Sequence, residues 1–420
     1  MQLSAYGETD VGRKRKHNED AFLVDSELGL FIVADGMGGH AAGEVASAKA
    51  VEVIQAHVAS RRDVLEAYAA DPADFDLRDQ CQAIVEEAIH LACAEIFDLA
   101  QSQAEKRGMG TTTVLILKAG SKAIIGHVGD SRAYLLRNEK AYQLTEDHTL
   151  VNAQLKQGLI SKEEAKRAAF QNVITRSVGY QRSVQVDTLL TDLLPGDRYL
   201  LCSDGLSGYV REDEYAKFLG AGTAGELPEK LLKLANHRGG KDNITAIILE
   251  VEGEATAPEK ADVEERMEVL RRIPLFKHLK YKELIQLLSI VQTRTAVDGE
   301  TLITEGEAGE ELFVILRGGA EVRAGETPVA QLGAGSHFGE MALIDASPRS
   351  ATVVAVQQST LLIIDRDNFF TLLRRDSLLA VKLLWAFLQI LSERLRATNE
   401  ELSGAKSELA ARAPTPFGQE

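Results

Sequence analysis

Residues 252–265, rich in Glu, Ala, Gly and Thr with Pro258 among them, divide this chain of 420 residues into two stretches of different texture. Such a segment reads as a linker with a helix beginning near its end, and a chain this long exceeds one ordinary core. Fully extended, residues 253–262 reach at most about 35 Å. Before the break, apolar and partly β-branched runs at 31–34, 112–117 and 199–202 alternate with good helix formers at 43–59 and 77–104, which predicts sheets covered by helices. After it, a helical lead-in gives way to short alternating runs punctuated by glycines from Gly299 to Gly339, the turn-rich pattern of an all-β barrel or roll. Residues 367–375 and 377–412 read as helices, and 413–420 as a frayed tail. The expected layout is α+β: a first domain at 1–251, a linker at 252–265, a second domain at 266–412 and a tail at 413–420.

Hydrophobic residues make up 45% of the chain and charged residues 26%, the balance of a folded soluble protein. A net charge of -16 provides no basic surplus to displace counterions, which argues against nucleic acid as the main partner. The N-terminus soon turns polar, unlike a secretory signal. The longest apolar stretch, 378–391, is interrupted by Lys382 and Gln389; it is short for a membrane span and reads as a buried helix, so no membrane partner is expected. Cys81, Cys93 and Cys202 lie far apart with no metal-ligand spacing, as suits a reducing cytoplasm.

In the first stretch, acidic residues recur at the ends of apolar runs. Glu19 and Asp20 follow Arg15-Lys16-His17-Asn18; Asp35 ends one run and enters Gly36-Met37-Gly38-Gly39-His40; Asp130 follows Val128-Gly129; Asp204 follows Leu201-Cys202-Ser203; Asp242 with Asn243 opens the last strand. One Asp at a strand end is an ordinary turn or cap residue. Five such sites, if they converge, make a hard-oxygen centre suited to Mg²⁺ or Mn²⁺ rather than zinc. Two ions bridged by one carboxylate would lower the pKa of a shared water and aim it at phosphorus, and Arg15 supplies a planar fork for phosphate oxygens.

These residues resemble the bacterial branch of the metal-dependent protein phosphatases, the PPM/PP2C family, over about residues 2–250. The resemblance rests on ordered motifs: Arg15 to Asp20, Asp35 to His40, Gly110-Thr111-Thr112, Gly129-Asp130-Ser131-Arg132, Ser203-Asp204-Gly205-Leu206 and Asp242-Asn243-Ile244-Thr245. It implies an α-β-β-α sandwich, with Asp35 bridging two metals, the Gly36 carbonyl ligating one, Asp204 and Asp242 holding the first, and Glu19 serving the second. Asp130 with Asp204 would hold a third, weaker ion; Asp20 and Asn243 would support the ligands; Arg15 would clamp the substrate phosphate. Animal relatives carry a His directly after Asp-Gly as the acid for the leaving alcohol, whereas here that place is Met37 and His40 comes three residues later. The general acid therefore stays open between His40 and a water on the third ion. The polar segment 147–179 resembles the flap beside the metal site in bacterial members; its plainer reading is a solvated helix pair.

Other phosphatase chemistries fit less well. A cysteine-dependent enzyme needs Arg six residues after its Cys, and Gly208, Glu87 and Leu99 stand there instead. Asp74-Phe75-Asp76 imitates an aspartyl-phosphate motif but follows Asp71-Pro72-Ala73 rather than an apolar strand. No Gly-x4-Gly-Lys-Ser/Thr loop is present.

The second stretch carries Phe338-Gly339-Glu340-Met341-Ala342-Leu343 and then Ser347-Pro348-Arg349-Ser350-Ala351-Thr352. A carboxylate can accept from vicinal sugar hydroxyls, while Arg and free N–H groups can hold phosphate; an isolated Glu340–Arg349 pair would be only a surface ion pair. The stretch, with Gly299-Glu300, Gly306, Phe313-Val314-Ile315 and Gly318 upstream, resembles the phosphate-binding cassette of cyclic-nucleotide-binding domains over about residues 267–397. That implies a β-roll with flanking helices in which Glu340 binds the ribose 2′-hydroxyl and Arg349 the cyclic phosphate, with Gly339, Ala342 and Ser350 lining the pocket. At Ser350, relatives use Ala or Thr to favour one base; cAMP is favoured over cGMP. The helix through Trp385, Phe387 and Leu388 is apolar on nearly all sides, more than core packing needs, which suits a lid over the nucleotide or a homodimer seam.

The expectation is a cytoplasmic, Mn²⁺- or Mg²⁺-dependent phosphatase of phosphoserine and phosphothreonine on proteins, controlled by cyclic nucleotide. The competing expectation is an inactive phosphatase fold serving as a docking module with a nucleotide sensor. A further alternative keeps the enzyme but makes the second domain a ligand-free dimerisation or partner surface.

Overall fold

A computed structural model describes residues 2–38, 42–72, 74–165, 167–168, 170, 173–253, 257–344 and 348–412. His40, Ser347 and the tail 413–420, all invoked above, lie outside the described residues. The chain forms two compact units, Met1–Lys260 and Ala261–Glu420. Of the segment expected to link two domains, the part from Ala257 onward is already helical, in Ala257–Arg272.

The first unit is a sandwich of two antiparallel sheets. One orders its strands Gln2–Asp10, Ile244–Glu252, Arg198–Cys202, Arg132–Arg137 and Lys140–Gln143; the other runs Asp20–Asp25, Leu30–Met37, Thr113–Ala119, Lys122–Val128 and Asp187–Asp192, with the short Gly110–Thr111 pairing beside Leu30–Met37. The apolar runs read from the sequence are central strands, buried on both faces. Leu30 and Ile32 pack under the helices Ala42–Ser60 and Phe75–Ser102, while their neighbours Phe31 and Val33, also fully buried, point the opposite way because side chains alternate along a strand. Likewise Leu200, Ile244 and Ile248 pack under the helix Leu227–Arg238. The layers are therefore helix, sheet, sheet, helix, as expected.

Local chemistry sets several boundaries. Asp74 accepts hydrogen bonds from the backbone N–H groups of Asp76 and Leu77 and caps the helix Phe75–Ser102, so the Asp-Phe-Asp run is a helix start. A helix that the sequence reading missed, Arg62–Ala70, buries Val64, Leu65 and Tyr68. Cys81, Cys93 and Cys202 are buried free thiols.

The second unit folds its strands into two four-stranded antiparallel sheets, Val291–Ala296, Ser359–Asp365, Glu311–Arg317, His337–Phe338 and Thr301–Ile303, Thr352–Ala355, Gly319–Ala324, Thr327–Gly333. Phe313, Ile315, Phe338, Val353 and Leu361 fill the space within, and helices flank this all-β region. The last helix, Ser377–Arg412, corrects one expectation. Leu379, Leu383, Ala386 and Phe387 are buried, but Val381, Leu384, Trp385 and Leu388 are each more than half exposed. A single helix can present only one stripe to its own core. No described helix is long and apolar enough to cross a membrane.

Candidate functional site

The acidic residues singled out in the first stretch sit at the ends of strands from both sheets. Asp20 opens its strand directly across the antiparallel ladder from Asp35. Asp130 follows the strand Lys122–Val128, Asp204 follows Arg198–Cys202, and Asp242 precedes Ile244–Glu252. Backbone and hydroxyl groups from neighbouring strands fix each position. The Asp35 N–H donates to Thr112 Oγ1 at 3.1 Å, its carbonyl accepts from Thr111 Oγ1 and Thr112 N at 2.9 Å each, and Thr112 Oγ1 lies 2.7 Å from Ser131 Oγ. Asp20 Oδ2 accepts from Ser203 Oγ at 2.9 Å and Thr245 Oγ1 at 2.6 Å, tying one sheet to the other. Its Oδ1 is buried with no hydrogen-bond partner among the described residues.

The loop between the first two strands carries the remaining groups, and Asn243 staples it. Asn243 Nδ2 donates to the carbonyls of Val11 and His17, at 3.0 and 2.9 Å, and its Oδ1 accepts from the Glu19 N–H at 2.9 Å. The Glu19 carboxylate accepts from the Gly43 N–H in the first turn of the helix Ala42–Ser60, where the helix dipole favours negative charge. The Glu19 carbonyl accepts from Gly36 N at 3.1 Å and Ser47 Oγ at 2.6 Å, which sets Gly36 against Glu19. Arg15 bends back onto the cluster, donating from Nη2 to Asp242 Oδ2 at 2.8 Å and lying 3.6 Å from Glu19, while 47% of its side chain stays exposed.

The electrostatics follow from this crowding. Burial, joined by the charges of Asp20, Asp204, Asp130 and Asp242, holds the Asp35 carboxyl well above the usual carboxylate range. Burial pushes Asp20 and Asp130 up to about 7, with Asp204 adding repulsion to both. Asp204 is raised by burial and by Asp242, and is within hydrogen-bonding reach of Asp35. Arg132 is committed elsewhere, donating from Nε and Nη2 to Asp147 at 2.8 and 2.6 Å. Among the described residues no three His, Cys, Asp or Glu side chains cage an ion as they stand. The donor set still fits hard divalent cations: it is all oxygen, it is short of positive charge, and one buried carboxylate oxygen is unsatisfied. Sequence reasoning quoted the Thr112, Ser131, Ser203 and Thr245 motifs without seeing that these hydroxyls position Asp35 and Asp20.

In the second unit, Gly339 has a left-handed backbone (φ 78°) and opens the short turn Glu340–Leu343. A side chain at Gly339 would also meet Arg349 Nη1 at 2.7 Å. Glu340 and Arg349 are 7% and 8% exposed, Ala342 is buried on the same turn, and Ser350 is exposed beside Arg349. The Arg349 fork holds Glu311: Nη2 donates to Glu311 Oε2 at 2.9 Å, and Nη1 donates to the Glu311 carbonyl at 3.0 Å and the Gly339 carbonyl at 3.4 Å. Glu311 is thus a partner of the expected phosphate-binding Arg that the sequence reading did not name; its place at the start of a strand four residues before Ile315 gave no signal of it.

Comparisons with known proteins agree with both halves. A model of the protein phosphatase 2C family matches residues 11–234, and one of the cyclic nucleotide-binding domain matches residues 293–376. The chain is 39% identical over 246 residues to the serine/threonine phosphatase stp of Listeria innocua, covering 58% of this chain and 93% of that relative. It is 35% identical over 250 residues to protein phosphatase PhpP of Streptococcus pneumoniae, covering 59% and 96%. The crystal structure of the Mycobacterium tuberculosis serine/threonine phosphatase PstP/Ppp superposes with a TM-score of 0.53 at 32% identity, covering 60% of this chain and all of that one. The catalytic domain of a PstP in complex with 2 manganese ions gives 0.50 at 34% identity, covering 60% and 99%.

Proposed function

Since the chain belongs to the protein phosphatase 2C family, we propose that it is a divalent-metal-dependent phosphatase acting on phosphoserine and phosphothreonine in proteins, and that cyclic nucleotide binding to its second unit alters its rate. The observation that carries the first half is the convergence of an oxygen-only donor set from strand ends of both sheets. Asp35, the Gly36 carbonyl, Asp204 and Asp242 would hold the principal Mn²⁺ or Mg²⁺ ions, with Glu19 toward the second and Asp130 with Asp204 toward a third. When bound, such ions supply the charge that lowers the pKa of a shared water and polarises a phosphoryl oxygen.

The chain's own residues do the rest. Arg15, half exposed and held by Asp242 and Glu19, presents a planar fork that can exchange those carboxylates for phosphate oxygens. Asn243 holds the loop bearing Arg15 and Glu19 at both ends, which keeps the clamp at a fixed distance from the carboxylates. Ser203 and Thr245 hold Asp20 beside Asp35. A cysteinyl-phosphate route has no support: burial pushes Cys81 up to about 11 and Cys202 up to about 12, and raises Cys93, leaving three inert thiols.

The regulatory half rests on the paired burial of Glu340 and Arg349 beside the left-handed Gly339, together with the match to the nucleotide-binding domain. A cyclic phosphate would take the place of the Glu311 carboxylate on Arg349, and cAMP is preferred to cGMP in this reading. A ligand changes the rate only if it binds two states of the protein unequally. The helix Ser377–Arg412 completes the reading as a surface for self-association.

One assay tests the proposal: hydrolysis of a phosphothreonine peptide with Mn²⁺, with and without saturating cAMP or cGMP. Turnover is expected only with divalent metal, to be abolished in Asp204→Asn, and to change with nucleotide. Absence of turnover would favour a docking module with the same fold. Equal rates with and without either nucleotide would remove the regulatory half, and calorimetry with both nucleotides would then decide whether the second unit binds ligand at all.

A further inference from the structure

An open cleft of about 660 Å³ lies beside the Arg15 loop, lined by Asp10, Gly12, Arg13, Lys233, Asn236 and His237. Its cations, Arg13 and Lys233, come from two separate elements, the loop after the first strand and the last turns of the helix Leu227–Arg238, with the His237 imidazole beside Lys233 on the helix. A basic residue at a helix C-terminus is commonly there for the dipole. That accounts for His237 and for Arg238, which is already committed to both carboxylate oxygens of Glu214 at 2.7 Å. It does not account for Arg13, which reaches the cleft from outside the helix. Lys233 pairs with Glu229 one turn back, but both side chains are largely exposed, so the pair is weak and readily exchanged. The acid in the cleft, Asp10, is occupied by the Gly12 N–H at 2.7 Å and Asn236 Nδ2 at 3.1 Å.

The surroundings extend this charge toward the phosphate clamp. Arg13, Lys14, Arg15, Lys16 and Lys241 are all exposed, with the exposed His17 among them, a positive stretch on a chain whose net charge is -16. Its geometry is fixed. The Arg13 N–H donates to the Gly240 carbonyl at 2.7 Å, and Asn243 holds the Val11 and His17 carbonyls. Arg13 precedes Arg15 by two residues, at most about 7 Å along the backbone, which an extended peptide covers in two or three residues.

We propose that this cleft is a specificity subsite for an oxyanion on the substrate peptide, two or three residues from the phosphorylated side chain. The inference rests on the phosphatase reading of the neighbouring carboxylate site. The oxyanion is a Glu or Asp carboxylate or a second phosphate, both of which use the same Arg, Lys and His donors. A cationic subsite fixed near the clamp lowers KM for such peptides and leaves the reacting groups untouched.

The test uses the full chain with Mn²⁺ and phosphothreonine peptides of equal length. One has neutral flanks; others carry paired Glu or a second phosphothreonine at the second and third positions on either side. Wild type is expected to show a KM about three- to tenfold lower for the acidic peptides, with preference for one side. The triple variant Arg13→Gln, Lys233→Gln, His237→Asn should lose that preference while turning over p-nitrophenyl phosphate within about twofold of wild type. Comparing the Glu and bisphosphorylated peptides distinguishes the two oxyanions. Equal KM values for all peptides in wild type, or a preference that survives in the triple variant, overturn the subsite. Fluorescence anisotropy with labelled peptides gives the same ratios as affinities without turnover. A protein that hydrolyses neither p-nitrophenyl phosphate nor any peptide therefore defeats the phosphatase reading, while the affinities still decide the cleft.

Discussion

Arg137 and Asp197 form an ion pair almost without solvent, 6% and 2% exposed. Arg137 Nε and Nη2 donate to the two Asp197 oxygens at 2.9 and 2.6 Å, Nη2 also donates to the Asp192 carbonyl, and Asp197 Oδ2 accepts from the Leu194 N–H. Removing the cation strands a buried carboxylate. Arg137→Met should lower the unfolding free energy by about 3–5 kcal/mol, read as a shifted midpoint in urea, while the folded fraction keeps its phosphatase rate. An unchanged midpoint would mean that Asp197 finds water or another donor. The same logic runs in reverse at the cluster of Asp20, Asp35, Asp130, Asp204 and Asp242, where Arg15 pairs with the partly exposed Asp242 but burial and mutual repulsion still hold the Asp35 carboxyl well above the usual carboxylate range. These acids could be picked out because each stands at one end of an apolar run, Asp35, Asp130 and Asp204 after it and Asp20 and Asp242 before it, a pattern visible along the chain. The Arg137–Asp197 pair could not. Its partners are 60 residues apart, and Asp197 after Pro195-Gly196 looks like any turn residue. Ser203 and Thr245 were equally opaque, since a hydroxyl acquires a role only when folding brings Asp20 to it.

The elements that present the carboxylates do so through close backbone approach. The short helix Asp204–Ser207 packs so tightly on the chain entering the last strand that a side chain at Gly205 would sit 1.9 Å from the Asn243 carbonyl oxygen. An Ala there must push the two segments apart, and they carry Asp204 on one side and Asp242 with Asn243 on the other. Overpacking of this kind costs about 1–3 kcal/mol, and a displacement near 1 Å at a catalytic group costs about 100-fold in rate. Gly205→Ala is therefore expected to lose about two orders of magnitude in kcat/KM toward a phosphothreonine peptide while retaining a cooperative thermal transition a few degrees lower. Near-normal turnover would mean that the two segments yield without disturbing their acids. At this scale the central strands at 31–34, 112–117 and 199–202 and the two long covering helices were readable, because apolar residues persist over each run. The helix Arg62–Ala70 was not, since only Val64, Leu65 and Tyr68 mark its buried face and nine residues give the period little room to repeat.

On the whole molecule, the helix Ser377–Arg412 presents an apolar stripe that is exposed among the described residues. Val381, Leu388, Leu395 and Leu402 recur every seven residues and are 62%, 61%, 63% and 51% exposed, with Leu384 and Trp385 beside them at 57% and 63%. A seven-residue repeat keeps one seam facing a second helix and is the signature of a coiled coil. Those six side chains offer on the order of 700 Å² of apolar surface, about what one partner contributes to a stable interface. A second copy of the chain supplies an identical stripe, so a parallel two-fold pairing aligns each Leu with its equivalent. Sedimentation velocity at micromolar concentration is expected to give twice the chain mass of 45.7 kDa. The double variant Leu388→Glu, Leu395→Glu places two like charges on each side of the seam and should sediment as a single chain. Both positions are exposed in the single chain, so the variant's far-ultraviolet circular dichroism should match that of wild type. A wild-type protein that stays monomeric at tens of micromolar, or a variant that still pairs, would assign the stripe to another partner.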